Sequence, residues 1–329
     1  MRTVVTGGAG FIGSHLAEKL IQDGHQVTIL DNFSTGRKDN LNNIEEREFT
    51  LIKTDIRDLD SICDFFKNTD WVFHLAALAD IVPSITQPAK YHKSNVDGTL
   101  AVLEASRLNG VKRFVYAASS SCYGIPEAYP TPENEAISPL YPYAFTKYVG
   151  EQYCFFWSKV YKLPIVSLRL FNVFGPRSRT AGTYGAVLGV FLAQKLAGMP
   201  FTVVGDGTQK RDFIYVSDIV DAFIKAADCD IKNEVFNVGS GNPQSINTLV
   251  SLLGGEKIHI PKRPGEPDCT WADIAKIKKM LGWVPKVLFE DGIKSMLKNI
   301  NYWKDAPVWT PEKIEEATGD WFRYLSPGS

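Results

Sequence analysis

Residues 6–13 read Thr-Gly-Gly-Ala-Gly-Phe-Ile-Gly and follow the strand-like run Arg-Thr-Val-Val-Thr without a gap. Gly7, Gly10 and Gly13 stand between that run and a helical pattern marked by Ile12, Leu16 and Leu20. Small residues there let the backbone approach a pyrophosphate, which the free N–H groups and dipole of the helix N-terminus stabilise. A tight glycine turn without a ligand is the plainer alternative, but an acidic residue lies at the required distance. Asp31 ends the second strand-like run, about 20 residues beyond the glycines, where a carboxylate accepts both adenosine ribose hydroxyls and repels a 2′-phosphate. The cofactor expected is therefore NAD rather than NADP. Arg37 and Lys38 follow closely and read as a solvated loop, while Asp55 reads either as an adenine contact or as a helix cap.

Strand-like runs at 2–6, 26–30, 49–54, 71–76, 113–119 and 163–170 alternate with amphipathic helical patterns. This rhythm predicts an α/β fold, a doubly wound parallel (Rossmann) sheet. Past residue 176 it changes, with helices near 184–197 and 216–228, strand-like runs at 201–205 and 234–241, and a helix from Trp303 to Tyr324 that packs Trp309 and Trp321 onto the body. The division expected is a dinucleotide-binding domain at 1–175 and a smaller α/β substrate lobe at 176–329, some of whose segments return to the first domain.

Composition narrows the partners. Of 329 residues, 44% are hydrophobic and 22% charged, and a net charge of −1 offers no overall attraction to nucleic acid or anionic membrane. Five scattered cysteines without a C-x-x-C pair argue against a disulfide framework or a metal site. No run reaches the roughly 18 apolar residues of a membrane span, and the start leaves no room for a signal segment, so a cytoplasmic protein is expected.

The stretch Tyr-Pro-Tyr-Ala-Phe-Thr-Lys at 141–147 carries the chemistry. Pro142 suits the first helical position, and a spacing of four puts Tyr143 and Lys147 on one face while Tyr141 points elsewhere. A tyrosine ionises near pH 10 when unperturbed. The ammonium, joined by an oxidised nicotinamide, favours the phenolate and makes Tyr143 a base for a secondary alcohol. Ser119, Ser120 and Ser121 at the end of the fifth strand supply hydroxyls where open α/β sheets bind ligands.

Taken together, the glycine turn, Asp31, His-Leu-Ala-Ala at 74–77, Ser-Ser-Ser-Cys-Tyr-Gly at 119–124, the Tyr143/Lys147 pair, Asn-Val-Phe-Gly-Pro at 172–176 and the run 205–218 resemble the extended short-chain dehydrogenase/reductase family, in its nucleotide-sugar epimerase and dehydratase branch. That resemblance spans residues 1 to about 300 and implies Tyr143 as base, Lys147 as its electrostatic partner and a ribose ligand, and Ser119 as the hydroxyl contact. The cofactor set it implies is Gly7, Gly10, Phe11, Ile12, Gly13, Asp31, Asn32, Asp55, Ile56, Leu75, Ala76, Ala77, Asn95, Tyr143 and Lys147. On the substrate side it implies Asn172, Arg211, Arg263 and Glu266 at a nucleoside diphosphate, and a small Thr270 that leaves space for an acetamido group. Plainer roles are a turn for Asn172, an ion pair with Asp212 or Asp218 for Arg211, and a structural one for His74. Arg177, Arg179 and Tyr184 border the expected sugar pocket.

Dehydratases of the branch carry an acid where Ser120 and Ser121 stand, so 4,6-dehydration and decarboxylation are disfavoured. The activity expected is NAD-dependent 4-epimerisation of a nucleotide-diphosphate sugar, UDP-hexose or UDP-N-acetylhexosamine, through a 4-keto intermediate. The rivals are a 4-dehydrogenase or 4-ketoreductase, a 4,6-dehydratase and a catalytically silent NAD sensor or scaffold. The apolar Tyr153–Trp157 stretch and the helix near 93–109 form, by the same resemblance, the seam of a homodimer.

Overall fold

The computed structural model describes residues 1–178 and 186–326. Six strands match the sequence pattern: β1 (Arg2–Thr6), β2 (Gln26–Asp31), β3 (Phe49–Lys53), β4 (Trp71–His74), β5 (Arg113–Ser119) and β6 (Ile165–Leu170). A seventh, Glu234–Val238, pairs in parallel with β6 and completes the sheet in the order Glu234–Val238, β6, β5, β4, β1, β2, β3. Because successive side chains point to opposite faces, each strand feeds two cores. Val5, Ile29, Phe73 and Val115 pack on one face with the helices Phe11–Gln22 and Val216–Ala227. Val4, Leu30, Val72 and Phe114 pack on the other with the helices Gly98–Leu108 and Pro142–Tyr161. This is a doubly wound Rossmann sheet, and β6, covered on both faces, is buried at every position.

From residue 172 onward most of the chain forms a second body around Phe174, Phe191, Phe201, Phe213, Phe289 and Trp303. Its small sheets pair Phe201–Val204 with Lys257–Ile260, and Asn172–Phe174 with Phe213–Tyr215. Helix Val216–Ala227 and strand Glu234–Val238, between these parts, lie on the first sheet. The helix expected near 184 runs from Val187 to Leu196, and Arg179 and Tyr184 lie outside the described residues. The C-terminal segment is also broken differently from expectation. A 3₁₀ turn spans Ile300–Trp303, and the helix begins only at Pro311, which lacks the N–H an upstream helix needs and is preceded by Thr310, whose hydroxyl accepts from the Lys313 N–H at 3.4 Å. Trp309 falls in the connecting segment and Trp321 in the helix.

β1 and β4 are neighbours although three strands apart in the chain, so the winding direction reverses between them. A ligand crevice opens at their carboxyl ends. Among the described residues no helix is long and apolar enough to cross a membrane, no cluster suits a metal ion, and the five cysteines are free.

Candidate active site

The turn after β1 is packed too tightly for side chains. Gly7 has φ +70°, and a Cβ there would meet the Ala76 backbone at 2.8 Å; one on Gly13 would meet the Gly7 carbonyl oxygen at 2.2 Å. These contacts press the end of β1 against the end of β4 and aim the uncapped N-terminus of helix Phe11–Gln22 into a cavity of about 850 Å³. Asp31 is held at the end of β2 by the N–H groups of Ala9 (3.0 Å) and Phe33 (2.8 Å). Burial raises its pKa above the ordinary carboxylate value, and those two N–H bonds oppose the rise. Asp55 is not a helix cap: it accepts from Arg57 Nε at 2.9 Å and Nη2 at 2.7 Å and from Asn32 at 3.3 Å, while Asp58 caps the next helix through the Ser61 N–H. Arg37 lies over the Tyr302 ring at 5.0 Å, and Lys38 pairs with Glu46 at the surface.

Helix Pro142–Tyr161 starts at its proline, and Tyr143 and Lys147 border the same cavity one turn apart. Ser119 borders the cavity beside Tyr143, and its Oγ lies 2.8 Å from that of Ser121. Lys147 is only 4% exposed; its ammonium stands 4.2 Å above the Tyr116 ring, whose hydroxyl donates to the Lys147 carbonyl at 3.2 Å. Burial brings the Lys147 pKa down to about 8, against the pull of Cys154 and Glu151. Burial also pushes the Tyr143 phenol above its ordinary value, opposed by the neighbouring Ser119. Burial thus favours the neutral phenol, and a bound oxidised nicotinamide would add positive charge that favours the phenolate. Tyr141 does not point elsewhere. Extended ahead of Pro142, it lines the cavity with its ring parallel to that of Tyr143 at 6.4 Å.

At the far end, Arg211 donates to Glu266 at 2.7 Å, and Arg263 lies 3.7 Å from the other Glu266 oxygen. The partner of Arg211 is thus Glu266, because Asp212 is saturated by Ser240, Gly241 and Ala272 and Asp218 accepts from the Val287 N–H. Two guanidinium groups on one carboxylate leave this end cationic. Thr270 donates to Asn172 Oδ1 at 2.7 Å and accepts from the Asp212 N–H at 3.0 Å, which leaves the Asn172 Nδ2 group as the donor facing the cavity.

A model of the NAD dependent epimerase/dehydratase family matches residues 3–239. The chain belongs to that family. Within it, this NAD-dependent epimerase is 38% identical over 310 residues to a putative UDP-glucose 4-epimerase of Methanocaldococcus jannaschii, covering 91% of this chain and 99% of that one. A UDP-glucose 4-epimerase structure from Thermotoga maritima, with UDP-glucose, is 36% identical with a TM-score of 0.86, covering 93% of this chain and 99% of that one. A UDP-N-acetylglucosamine 4-epimerase from Methanobrevibacter ruminantium, in complex with UDP-N-acetylmuramic acid, is 37% identical with a TM-score of 0.85, covering 91% and 98%.

The residues fit the family's cofactor. The turn has no Cβ where a pyrophosphate approaches, Asp31 stands at the ribose end, and no acceptor among the described residues bonds the Lys147 ammonium. Of the site residues expected from sequence that fall among the described residues, all but Asn95 line the one cavity. Asn95 lies behind the wall, donating to the Leu78 carbonyl and Thr146 at 3.0 Å each and accepting from the Leu78 N–H at 2.8 Å. It braces the loop after β4 and the first turn of the tyrosine helix. His74 is bonded on both sides by Thr6 and Thr99, and burial keeps it neutral. Arg177 lines the cavity paired with Glu18 on the first helix, at the glycine-turn side. Sequence reasoning missed Tyr116, which seats the ammonium, and the cavity-lining Tyr141, Trp309 and Trp321.

Proposed function

We propose that the protein is a 4-epimerase of a nucleoside-diphosphate sugar, a UDP-hexose or UDP-N-acetylhexosamine, acting through a transient 4-keto sugar. The observation that carries this reading is one cavity shared by Tyr143, Ser119, the glycine turn and the Arg211–Glu266–Arg263 cluster. Bound NAD supplies a reversible acceptor for the hydride of carbon 4. Ser119 holds the 4-oxygen, and Tyr143 takes its proton on oxidation and restores it on reduction. Lys147 contributes positive charge beside the phenolate. Arg211 and Arg263 anchor the diphosphate, Asn172 adds a neutral donor, and the Glu266 Oε2, buried and without a hydrogen-bond partner among the described residues, accepts from the nucleoside ribose.

Residues 1–175 then carry the cofactor, and 176–329 mainly the nucleotide end. Ser120 and Ser121 offer no carboxyl to expel a 6-hydroxyl, which favours epimerisation over dehydration. Thr270 spends its hydroxyl on Asn172 and Asp212 and keeps the small side that an acetamido group requires. A homodimer is part of the same reading, because helix Pro142–Tyr161 leaves Phe145, Phe156 and Val160 exposed. Incubation with UDP-glucose and UDP-N-acetylglucosamine, followed by chromatographic separation, tests the assignment. Formation of the 4-epimer without net NADH is expected; a keto product, or NADH released in step with substrate, would overturn it.

A further inference from the structure

Between the phenol that meets the sugar's reacting carbon and the cations that hold its diphosphate, the cavity has an aromatic wall. The Tyr141 ring is parallel to Tyr143 at 6.4 Å, and Trp321 stands 6.2 Å beyond Tyr141. The Arg263 guanidinium lies 5.5 Å from the Trp321 ring. All four side chains line the cavity, and the sequence Tyr143, Tyr141, Trp321, Arg263 runs from the chemical end to the charged end. Tyr141 and Trp321 thus lie between the group placed at the reacting carbon and the cation placed at the diphosphate.

The wall is held in place from behind. Helix Pro311–Leu325 packs on helix Ile81–Thr86, whose Ile81 and Val82 also line the cavity. Trp321 is 4% exposed, and its Nε1 donates to the Pro264 carbonyl at 2.8 Å, which ties it to the segment that carries Arg263 and Glu266. Tyr141, half-buried, is the more open of the two rings.

We infer that Tyr141 and Trp321 form a sugar-binding surface that determines how the hexosyl ring of the nucleotide sugar is held. This rests on the diphosphate assignment made above for Arg211 and Arg263. Ring faces attract the C–H faces of a pyranose by dispersion and by their quadrupole, with little directional demand. A surface of that kind holds the ring while leaving its hydroxyls unfixed, so a 4-keto sugar can turn over against it without breaking hydrogen bonds. Trp321 comes from a C-terminal helix outside the 3–239 match to the family model.

The test compares ligands that differ only in the sugar. Dissociation constants for UDP, UDP-glucose and UDP-N-acetylglucosamine are measured by calorimetry on the NAD-loaded wild type, Trp321→Leu, Trp321→Phe and Tyr141→Leu, with KM and kcat for the two sugars. Trp321→Leu and Tyr141→Leu are expected to weaken both UDP-sugars by roughly tenfold while UDP binding stays within about twofold, and Trp321→Phe should recover most of the loss. Equal weakening of UDP and UDP-sugars would mean that Trp321 only props Arg263, and unchanged affinities would remove the surface altogether; either result overturns the inference. Tyr141→Leu lies outside the C-terminal helix, so it decides the matter if the Trp321 variants misfold. A wild type that binds UDP-sugars but forms no epimer breaks the proposed activity and leaves the wall standing, whereas a wild type that binds neither UDP nor UDP-sugars breaks both.

Discussion

Lys147 is a buried cation seated over the Tyr116 ring. Its folded pKa of about 8 lies below the ordinary 10.5, so between those values the unfolded chain binds more protons and stability rises with pH; below them the desolvated ammonium is a cost. Lys147→Met is therefore expected to raise the melting temperature of the cofactor-free protein at pH 7 by a few degrees, roughly 1–2 kcal/mol. The gain should vanish near pH 10, while NAD retention and turnover fall. Thermal melts at the two pH values check this. Tyr143→Phe should lower kcat by about 10³-fold and leave NAD and UDP binding intact; a variant that retains full turnover would remove Tyr143 as the base. The Tyr143/Lys147 pair was legible because spacing on a helix is local information. Tyr141 was misread by the same logic: a residue extended ahead of Pro142 does not obey helical angles. Tyr116 gave no sign, since a buried tyrosine in an apolar strand looks like core.

Helix Pro142–Tyr161 and β6 are bound by a buried polar network. Arg169 donates to Glu151 at 2.6 and 3.1 Å, to Tyr123 at 2.8 Å and to the Glu133 carbonyl at 3.0 Å, and Ser167 adds a bond to Glu151 at 2.9 Å. Glu151 is 1% exposed, so deleting it strands a buried guanidinium. Glu151→Ala should cost about 3–5 kcal/mol in denaturant unfolding, and the double variant Glu151→Leu with Arg169→Met should recover a large part of it. If the single change costs under about 1 kcal/mol, the network does not fix the helix to the sheet. Among the elements, the strands were readable because β-branched apolar runs alternate with amphipathic stretches. The placement of Glu234–Val238 beside β6 was not, because strand order depends on pairing across long sequence separations. The C-terminal helix start at Pro311 was available in the sequence, from a threonine cap followed by proline.

For the whole molecule, the unpartnered stripe Phe145, Phe156 and Val160 lies on the outer face of the tyrosine helix. A homodimer at micromolar concentration is expected in sedimentation, and Phe156→Glu should shift it toward monomer; a wild type that sediments as monomer would remove the dimer. The change of rhythm after residue 176 marked the region where the chain leaves the first sheet, but not that Val216–Ala227 and Glu234–Val238 lie on that sheet. The share of the C-terminal segment in the site was not visible, because tryptophans in an amphipathic helix read as ordinary packing.

The seventh strand has a consequence for how the chain can be divided. Since Glu234–Val238 covers the outer side of Ile165–Leu170, a protein cut near residue 175 would present a mostly apolar strand with one unpaired edge to its surroundings. Such a fragment would seek strands from other copies of itself, so the cofactor-binding half is not a transferable module, and fusions or truncations that respect the sheet have to keep the chain through residue 238.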